Sequence, residues 1–155
     1  MKKPARIEEK PPRASRVAGL AAPAPEPVPA APRPRTCLVV DDSRVIRMVV
    51  RRILEAMGLV VADAADGFSG LMACRAAMPD LVLLDWNMPA MDGGTFLAEL
   101  RASPGGADVP VIVCSSDNDA GRIAAALESG ASEYVMKPFD ADILHGKLAQ
   151  LGIFR

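Results

Sequence analysis

Apolar residues follow two alternating patterns along the chain from Thr36 onward. Short apolar runs bounded by turn residues, the first of which is TCLVV, predict β-strands. The segment after the first run has apolar residues at spacings of three and four, which predicts an amphipathic helix that Gly58 ends. A strand followed by a helix recurs along the rest of the chain. The predicted strands are 36–40, 59–64, 81–86, 109–116 and 132–138, and the predicted helices are 43–57, 68–78, 94–102, 119–129 and 140–151.

Strands that alternate with helices in this way indicate the α/β fold class, with a doubly wound parallel sheet covered by helices on both faces. The run LVLLDW at 81–86 is the most apolar strand and is expected to be the most buried. In sheets of this class, ligands bind at the carboxyl ends of the strands, near the point where the strand order reverses. The residues that follow each strand are therefore the candidates for function.

Residues 1–35 differ in composition from the rest of the chain. They carry eight Lys or Arg and three Asp or Glu, a net charge of +5, and nine of the fourteen prolines. Residues 36–155 carry ten and sixteen, a net charge of −6. A segment so rich in proline and alanine buries too little apolar surface to offset the entropy of ordering. We expect 1–35 to be a disordered basic tail, either passive or a weak tether to an acidic partner, and 36–155 to form one domain.

Three features bear on location. No apolar run reaches the length of a membrane-spanning helix. The amino-terminal MKKPARIEEKPPR has charges where a signal peptide has its apolar stretch. The cysteines Cys37, Cys74 and Cys114 form no CxxC pair, and we expect them to be reduced packing residues. These features predict a cytoplasmic protein without a membrane span.

The stretch VDDSR places two adjacent carboxylates, Asp41 and Asp42, directly after the first apolar run. Like charges this close raise each other's proton affinity, so their position needs a reason. One interpretation is an acidic cap on the first helix, a role for which Ser43 competes. The other is half of a metal site.

Polar residues also follow the other central strands. Asp85 ends the third strand, Ser115 and Ser116 end the fourth, and Lys137 followed by Pro138 ends the fifth. Carboxylates gathered in one crevice repel unless a cation joins them, and oxygen-only ligands suit Mg²⁺. Mg²⁺ beside a carboxylate, a lysine and a hydroxyl is suited to phosphoryl transfer. Asp85 is the best-placed nucleophile for forming an aspartyl-phosphate.

These residues occur in motifs that resemble the receiver domain of two-component response regulators. The resemblance covers about 36–151 and rests on VVDDS at 39–43, LLDWNMPAMDG at 83–93, VCSS at 113–116 and GASEYVMKPF at 130–139. It implies a flavodoxin-like, CheY-like fold with a five-stranded sheet in the order 2-1-3-4-5. It also implies a signalling phosphoacceptor that catalyses only its own phosphorylation and dephosphorylation, and not an enzyme with an external substrate.

The resemblance also assigns the metal ligands. Asp85 would accept the phosphoryl group. Asp42 would bind Mg²⁺ directly, Asp41 would assist it, often through a water molecule, and Asp85 would be a further carboxylate ligand. The backbone carbonyl of Asn87, two residues after Asp85, would complete the protein ligands.

Four further residues carry roles that the resemblance implies. Ser115 and Lys137 would contact the phosphoryl oxygens. Tyr134, three residues before Lys137, would be the aromatic switch whose burial follows the shift of Ser115. Pro138 fits the position of the cis-proline of the family. His145, the only histidine, is expected on the surface of the last helix.

The resemblance implies a histidine kinase or a histidine phosphotransfer protein as the phosphoryl donor. A downstream protein target would bind the face of helix 4, strand 5 and helix 5. The predicted domain is acidic and the chain ends four residues after the last predicted helix, so we expect a stand-alone receiver without direct nucleic-acid contact.

Three kinds of function remain open. The motifs VDDSR, DWNMP and KPFDADIL favour a chemotaxis-type receiver. The alternative is a phosphorelay intermediate in a stress or cell-cycle pathway. An aspartyl-phosphate hydrolase of the haloacid-dehalogenase type would need DxDxT or DxDxV at its nucleophile, where this sequence reads DWNMP.

Overall fold

The computed structural model describes residues 33–154, so residues 1–32 of the predicted tail lie outside the described residues. Five parallel strands form one sheet in the order β2-β1-β3-β4-β5, which confirms the predicted fold class and strand order. No helix between residues 33 and 154 combines the length and apolarity of a membrane span. The strands are β1 (Thr36–Val40), β2 (Val60–Ala64), β3 (Leu81–Asp85), β4 (Val111–Ser115) and β5 (Glu133–Met136). The helices are α1 (Arg44–Ala56), α2 (Gly67–Ala76), α3 (Gly93–Ala102), α4 (Ala120–Glu128) and α5 (Ala141–Gln150).

Alternate side chains of the central strands point to opposite faces of the sheet and fill two apolar layers. Leu38 and Leu84 belong to the layer under α2 and α3, whereas Val39 and Leu83 belong to the layer under α1 and α5. Strands β3 and β4 are buried at every position because helices cover both faces. The three cysteines lie in these layers with free thiols, as predicted.

The helices begin at short polar side chains that accept a hydrogen bond from an N–H of the first turn. Ser43 accepts from the N–H of Ile46 at the start of α1, and Asp119 begins α4 as predicted. Because Ser43 caps α1, neither Asp41 nor Asp42 is needed for that role. The remaining caps are Asp66, Asp92 and Asp140.

Three boundaries differ by two residues from the prediction, each next to a proline. Helix α2 ends at Ala76, two residues before the predicted Met78, because the residue that precedes Pro79 is driven out of the helical region. Strand β4 begins two residues later than predicted because Pro110 has no N–H to donate to the ladder. Strand β5 ends at Met136, two residues before the predicted end at Pro138, which has no N–H to donate to the ladder.

Two arginines of α1 tie the edge strand β2 to the end of β1. Arg51 donates to the Val61 carbonyl at 2.7 Å, which covers an otherwise unpaired acceptor of the edge strand. Arg47 lies 3.3 Å from the Asp63 carboxylate and donates to the carbonyl of Asp41 at 2.7 Å. The backbone directly after β1 is therefore held by a side chain of α1.

Asp80 holds the beginning of β1 against the turn before β3. Its carboxylate accepts from the N–H of Thr36 at 2.8 Å and from the two Nη atoms of Arg33 at 2.8 and 2.9 Å. The Arg33 guanidinium, opposed by partial burial and aided by the Thr36 N–H, lowers the pKa of Asp80 to about 2. Arg33, which the sequence places in the tail, thus contacts the domain.

We expect Asp80→Asn to lower the free energy of unfolding by about 1 kcal/mol at neutral pH. The effect is modest because solvent screens the ion pair with the exposed Arg33. A carboxyl group whose pKa is lower in the folded state stabilises the fold above its unfolded pKa of about 4. That contribution is lost as the pH falls toward the folded pKa of about 2. Urea unfolding at a series of pH values should therefore show wild type and variant converging on acidification.

The control for this measurement is Asp108→Asn, which changes an exposed aspartate in the turn before β4. Its effect on the free energy of unfolding should be small. A loss in Asp80→Asn that stays the same at every pH would contradict the role given to the Asp80 charge.

Candidate functional site

Strands β1 and β3 bring three carboxylates together at their carboxyl ends. The two strands are neighbours, and Val40 lies opposite Leu84, so the next residue of each strand, Asp41 and Asp85, stand side by side. Carboxylate oxygens of Asp41, Asp42 and Asp85 all lie within 4.8 Å of one another. Asp41 and Asp85 are buried, whereas Asp42 is exposed. The acidic cluster expected from the sequence is therefore present.

Lys137 reaches this cluster from the end of β5. Its backbone N–H donates to the Ser115 carbonyl at 2.8 Å, which places it beside the end of β4. Its ammonium lies 2.8 Å from Asp41 Oδ2 and 3.4 Å from Asp85 Oδ1. Burial lowers the pKa of Lys137, but the hydrogen bond to Asp41 and the charge of Asp85 outweigh burial and raise it. The peptide bond from Lys137 to Pro138 is cis, as the resemblance implies.

Asp85 holds its proton more tightly than an ordinary aspartate. Burial is the largest cause, Lys137 opposes it and Asp41 adds to it, and together they raise the pKa of Asp85 to about 6. Three carboxylates facing one ammonium leave two negative charges in excess, which is costly in a partly buried site. A hard divalent cation balances such an excess and prefers carboxylate oxygens. The donor set therefore fits Mg²⁺.

Asn87 connects Asp85 to Ser115. Its backbone N–H donates to Asp85 Oδ1 at 3.2 Å, and its side-chain Nδ2 donates to Ser115 Oγ at 3.0 Å. Ser115 is buried and Ser116 is exposed, so Ser115 is the hydroxyl that belongs to the site. The hydrogen bond from the Asn87 amide to Ser115 is not among the roles expected of Asn87 from the sequence. Its amide contact depends on the packing of two loops that are distant along the chain.

Tyr134 is connected to Ser115 through the backbone of Asp117. The Tyr134 ring is buried, and its hydroxyl donates to the Asp117 carbonyl at 2.7 Å. The N–H of Asp117 donates to Ser115 Oγ at 3.1 Å. The two switch residues expected from the sequence therefore contact the same loop residue, a link that no sequence pattern indicates.

The structure thus brings the predicted residues together, directly or through one intermediate residue. His145 is exposed on α5 and stacks on Phe154 with ring centroids 4.9 Å apart, which confirms its prediction as a surface residue. The assembled set comprises Asp41, Asp42, Asp85, Asn87, Ser115, Tyr134 and Lys137.

Comparison with known proteins agrees with this arrangement. Residues 37–149 match the family described as the response regulator receiver domain. The chemotaxis protein CheY of Bacillus subtilis is 37% identical over 106 residues, which make up 68% of this chain and 87% of CheY. The transcriptional regulatory protein CseB of Streptomyces avermitilis is 40% identical over 111 residues, which make up 72% of this chain and 46% of CseB. The chain thus spans about half the length of CseB.

A solved structure shares the fold. The receiver domain of the sensor histidine kinase PA1611 of Pseudomonas aeruginosa, solved with a magnesium ion coordinated in its active site cleft, is 28% identical to this chain. The two structures align with a TM-score of 0.71 over 76% of this chain and 97% of that domain. The strand order, the acidic cluster and a family match over residues 37–149 lead to one conclusion: the chain belongs to the response regulator receiver domain family.

Proposed function

We propose that this chain is a two-component response regulator that accepts a phosphoryl group on Asp85 in a Mg²⁺-dependent reaction. The donor would be a histidine kinase or a histidine phosphotransfer protein. The proposal is carried by one observation, the buried Asp85 carboxylate that shares a cluster with Asp41 and Asp42 and lies 3.4 Å from Lys137. A bond would form from an Asp85 oxygen to phosphorus as the nitrogen–phosphorus bond of the donor histidine breaks. The chain would act on no external substrate.

Asp41, Asp42 and Asp85 would hold Mg²⁺, with the backbone carbonyl of Asn87 as a further ligand. The ion, when bound, neutralises charge that develops on the phosphoryl oxygens. Asp42 is the exposed member of the cluster, which suits a ligand that meets the ion from solvent. The magnesium ion in the cleft of the PA1611 receiver domain supports the assignment.

Lys137 and Ser115 would contact the phosphoryl oxygens. The Lys137 ammonium already lies beside the Asp85 carboxylate, so a phosphoryl group attached there would meet a fixed positive charge. Fixed charges and donors in a partly dry site stabilise developing negative charge without reorganising water. The chain's own residues would therefore supply electrostatic stabilisation on the side of Asp85 that Lys137 occupies.

Phosphorylation would be read out on the face formed by α4, β5 and α5. Tyr134 belongs to β5, and Ser115 ends β4 just before the loop that leads to α4. Each element of this face carries an exposed large apolar side chain, namely Leu127, Met136 or Ile143. Exposed apolar side chains on adjacent elements suit a protein target. The phosphoryl group would bias a pre-existing equilibrium between two conformations.

We place this function in a cytoplasmic, chemotaxis-type pathway. The likeness to CheY of Bacillus subtilis, which extends over 87% of that protein, supports this placement. The alternative is a phosphorelay intermediate in a stress or cell-cycle pathway. A hydrolase of the haloacid-dehalogenase type is a distant alternative, because the residues after Asp85 read WNMP.

Trp86, the only tryptophan, follows Asp85 directly and can report on the site. We expect Mg²⁺ to change its fluorescence, and acetyl phosphate to produce a second change together with the mass of one phosphoryl group. Asp85→Asn should lose the second change and the mass gain, because an amide does not attack phosphorus. Asp142→Asn, at an exposed position of α5, should behave as wild type. Wild-type protein that takes up no phosphoryl group from acetyl phosphate or a histidine kinase would refute the proposed function.

Asp42→Ala should abolish Mg²⁺-dependent phosphorylation, because it removes the direct carboxylate ligand. Asp41→Ala should weaken Mg²⁺ affinity by about tenfold, the scale expected for a residue that acts through water. The measurements are Mg²⁺ titration by Trp86 fluorescence and the initial rate of phosphorylation. Asp42→Asn keeps one ligand oxygen and should recover part of the rate. If both alanine variants bind Mg²⁺ and become phosphorylated as wild type does, the acidic pair is not the metal site.

The pathway can be tested by following labelled phosphate. We expect phosphorylated protein mixed with histidine phosphotransfer proteins of its own organism to lose its label to water, as inorganic phosphate, because a chemotaxis-type receiver ends its signal by hydrolysis. Asp85→Asn provides the unlabelled baseline. Rapid and reversible appearance of the label on a phosphotransfer histidine would favour the phosphorelay alternative.

A further inference from the structure

The loop between β4 and α4 is organised around Asp117, which contacts four neighbours through four different atoms. Its N–H donates to Ser115 Oγ at 3.1 Å, and its carbonyl accepts from the Tyr134 hydroxyl at 2.7 Å. One carboxylate oxygen accepts from the N–H of Asp119 at 2.9 Å, and the other lies 2.9 Å from Arg122 Nη1. A movement of Asp117 therefore changes the surroundings of Ser115 and Tyr134 together.

Arg122 joins this loop to the first turn of α4. Its side chain is mostly exposed, whereas that of Asp117 is partly buried, so the pair lies at the surface but is anchored on one side. The Arg122 side chain also lines a cleft of about 310 Å³ together with Trp86 and Asn87. Asn87 is the residue whose N–H contacts Asp85. Arg122 thus lies on the same cleft as Asn87 and as Trp86, the residue that follows Asp85.

Two donors occupy the oxygen of the Ser115 hydroxyl. They are Asn87 Nδ2 at 3.0 Å and the Asp117 N–H at 3.1 Å. A hydroxyl oxygen accepts two hydrogen bonds and donates one. Because both acceptor positions of the oxygen are used, Ser115 can form one further hydrogen bond, in which its hydroxyl is the donor. An oxygen of a phosphoryl group on Asp85 would be a suitable acceptor.

We propose that Arg122 is a positioning residue for the phosphoryl site. Its ion pair holds Asp117 so that the Asp117 N–H keeps Ser115 in the donating orientation and the Asp117 carbonyl keeps Tyr134 buried. The contact of Ser115 with phosphate rests on the proposed function, but the hold on Tyr134 exists without phosphorylation. An exposed ion pair shifts the equilibrium between the buried and exposed positions of Tyr134 by about two- to fivefold. This effect weakens as salt screens the charges.

Tyr134 is the only tyrosine, so protein labelled with fluorotyrosine gives one fluorine NMR signal from this ring. We expect Arg122→Gln to move that signal, in unphosphorylated protein, toward the position of the urea-unfolded chain. Arg122→Lys should restore the wild-type position because the charge returns. Raising NaCl from about 0.05 to about 1 M should move the wild-type signal in the same direction and leave Arg122→Gln unchanged.

Asp117→Asn tests the other side of the pair while keeping a side-chain oxygen for the Asp119 N–H. It should reproduce the shift of Arg122→Gln, and the double variant should shift no further, because both substitutions remove the same interaction. The matched control is Arg75→Gln, which removes an exposed arginine of α2 that lies 3.5 Å from Glu99. The Tyr134 signal of this control should remain at the wild-type position.

The same variants are compared by their initial rates of phosphorylation with acetyl phosphate and Mg²⁺. Arg122→Gln and Asp117→Asn should be slower than wild type by about two- to fivefold, whereas Arg122→Lys and Arg75→Gln should match it. Circular dichroism and urea unfolding identify any variant that has lost its fold. If a variant has lost its fold, the salt dependence of the Tyr134 signal in wild-type protein tests the proposal instead, since that measurement needs no substitution.

The outcomes separate this proposal from the function on which it rests. An unshifted Tyr134 signal in Arg122→Gln at low salt overturns the role of Arg122, whatever the phosphorylation rates are. A shifted signal with an unchanged rate overturns the part that concerns Ser115. Wild-type protein that takes up no phosphoryl group refutes the function of Asp85, and the role of Arg122 is then decided by the signal shift alone.

Discussion

Two buried carboxylates stand side by side at the ends of β1 and β3, and the Lys137 ammonium is the charge that makes this arrangement tolerable. Without it, Asp41 and Asp85 would face each other in a site where water screens little. The ammonium offsets only part of the negative charge, since Asp42 adds a third carboxylate. The site therefore retains a deficit of positive charge, and that deficit is what makes it suitable for a divalent cation and for phosphoryl chemistry. Parallel strand order makes the arrangement possible, because it brings the ends of β1, β3 and β5 to one edge of the sheet.

Hydrogen bonds extend from this charged centre to a surface of the molecule. Asp85 is bound by Asn87, Asn87 by Ser115, Ser115 by Asp117, and Asp117 by Tyr134. Each of these hydrogen bonds satisfies a partly buried donor or acceptor whose loss would cost free energy. If one residue of the series moves, its neighbour must therefore find a new hydrogen-bond partner. The same Asp117 is paired with Arg122 on α4. A change in charge at Asp85 is thus linked by short, directional contacts to the elements that carry the exposed apolar side chains of α4, β5 and α5.

Much of this arrangement could be predicted because the relevant signals are local in the sequence. Apolar runs of strand length followed by helical spacing identify a parallel α/β sheet, and such a sheet brings residues after its strands to one edge. That geometry alone groups Asp41, Asp85 and Lys137, although they are far apart along the chain. The resemblance had already assigned the VDDSR carboxylates to a metal site, and the structure adds that Ser43 caps α1. The boundaries of α2, β4 and β5 were wrong by two residues next to Pro79, Pro110 and Pro138, where backbone restrictions override the apolar pattern.

By itself the sequence determined the class of fold, the strand order through its resemblance to a family, and which polar residues follow which strands. These properties depend on hydrophobic periodicity and on neighbours along the chain, and both can be read one segment at a time. Only the tertiary structure decided which oxygen of Asp41 meets Lys137, that the Asn87 amide turns toward Ser115, and that Asp117 and Arg122 join the site to α4. Such contacts depend on side-chain directions and on the packing of loops that no repeating pattern encodes. They form because β3, β4 and β5 lie in register and bring the loops that follow them together.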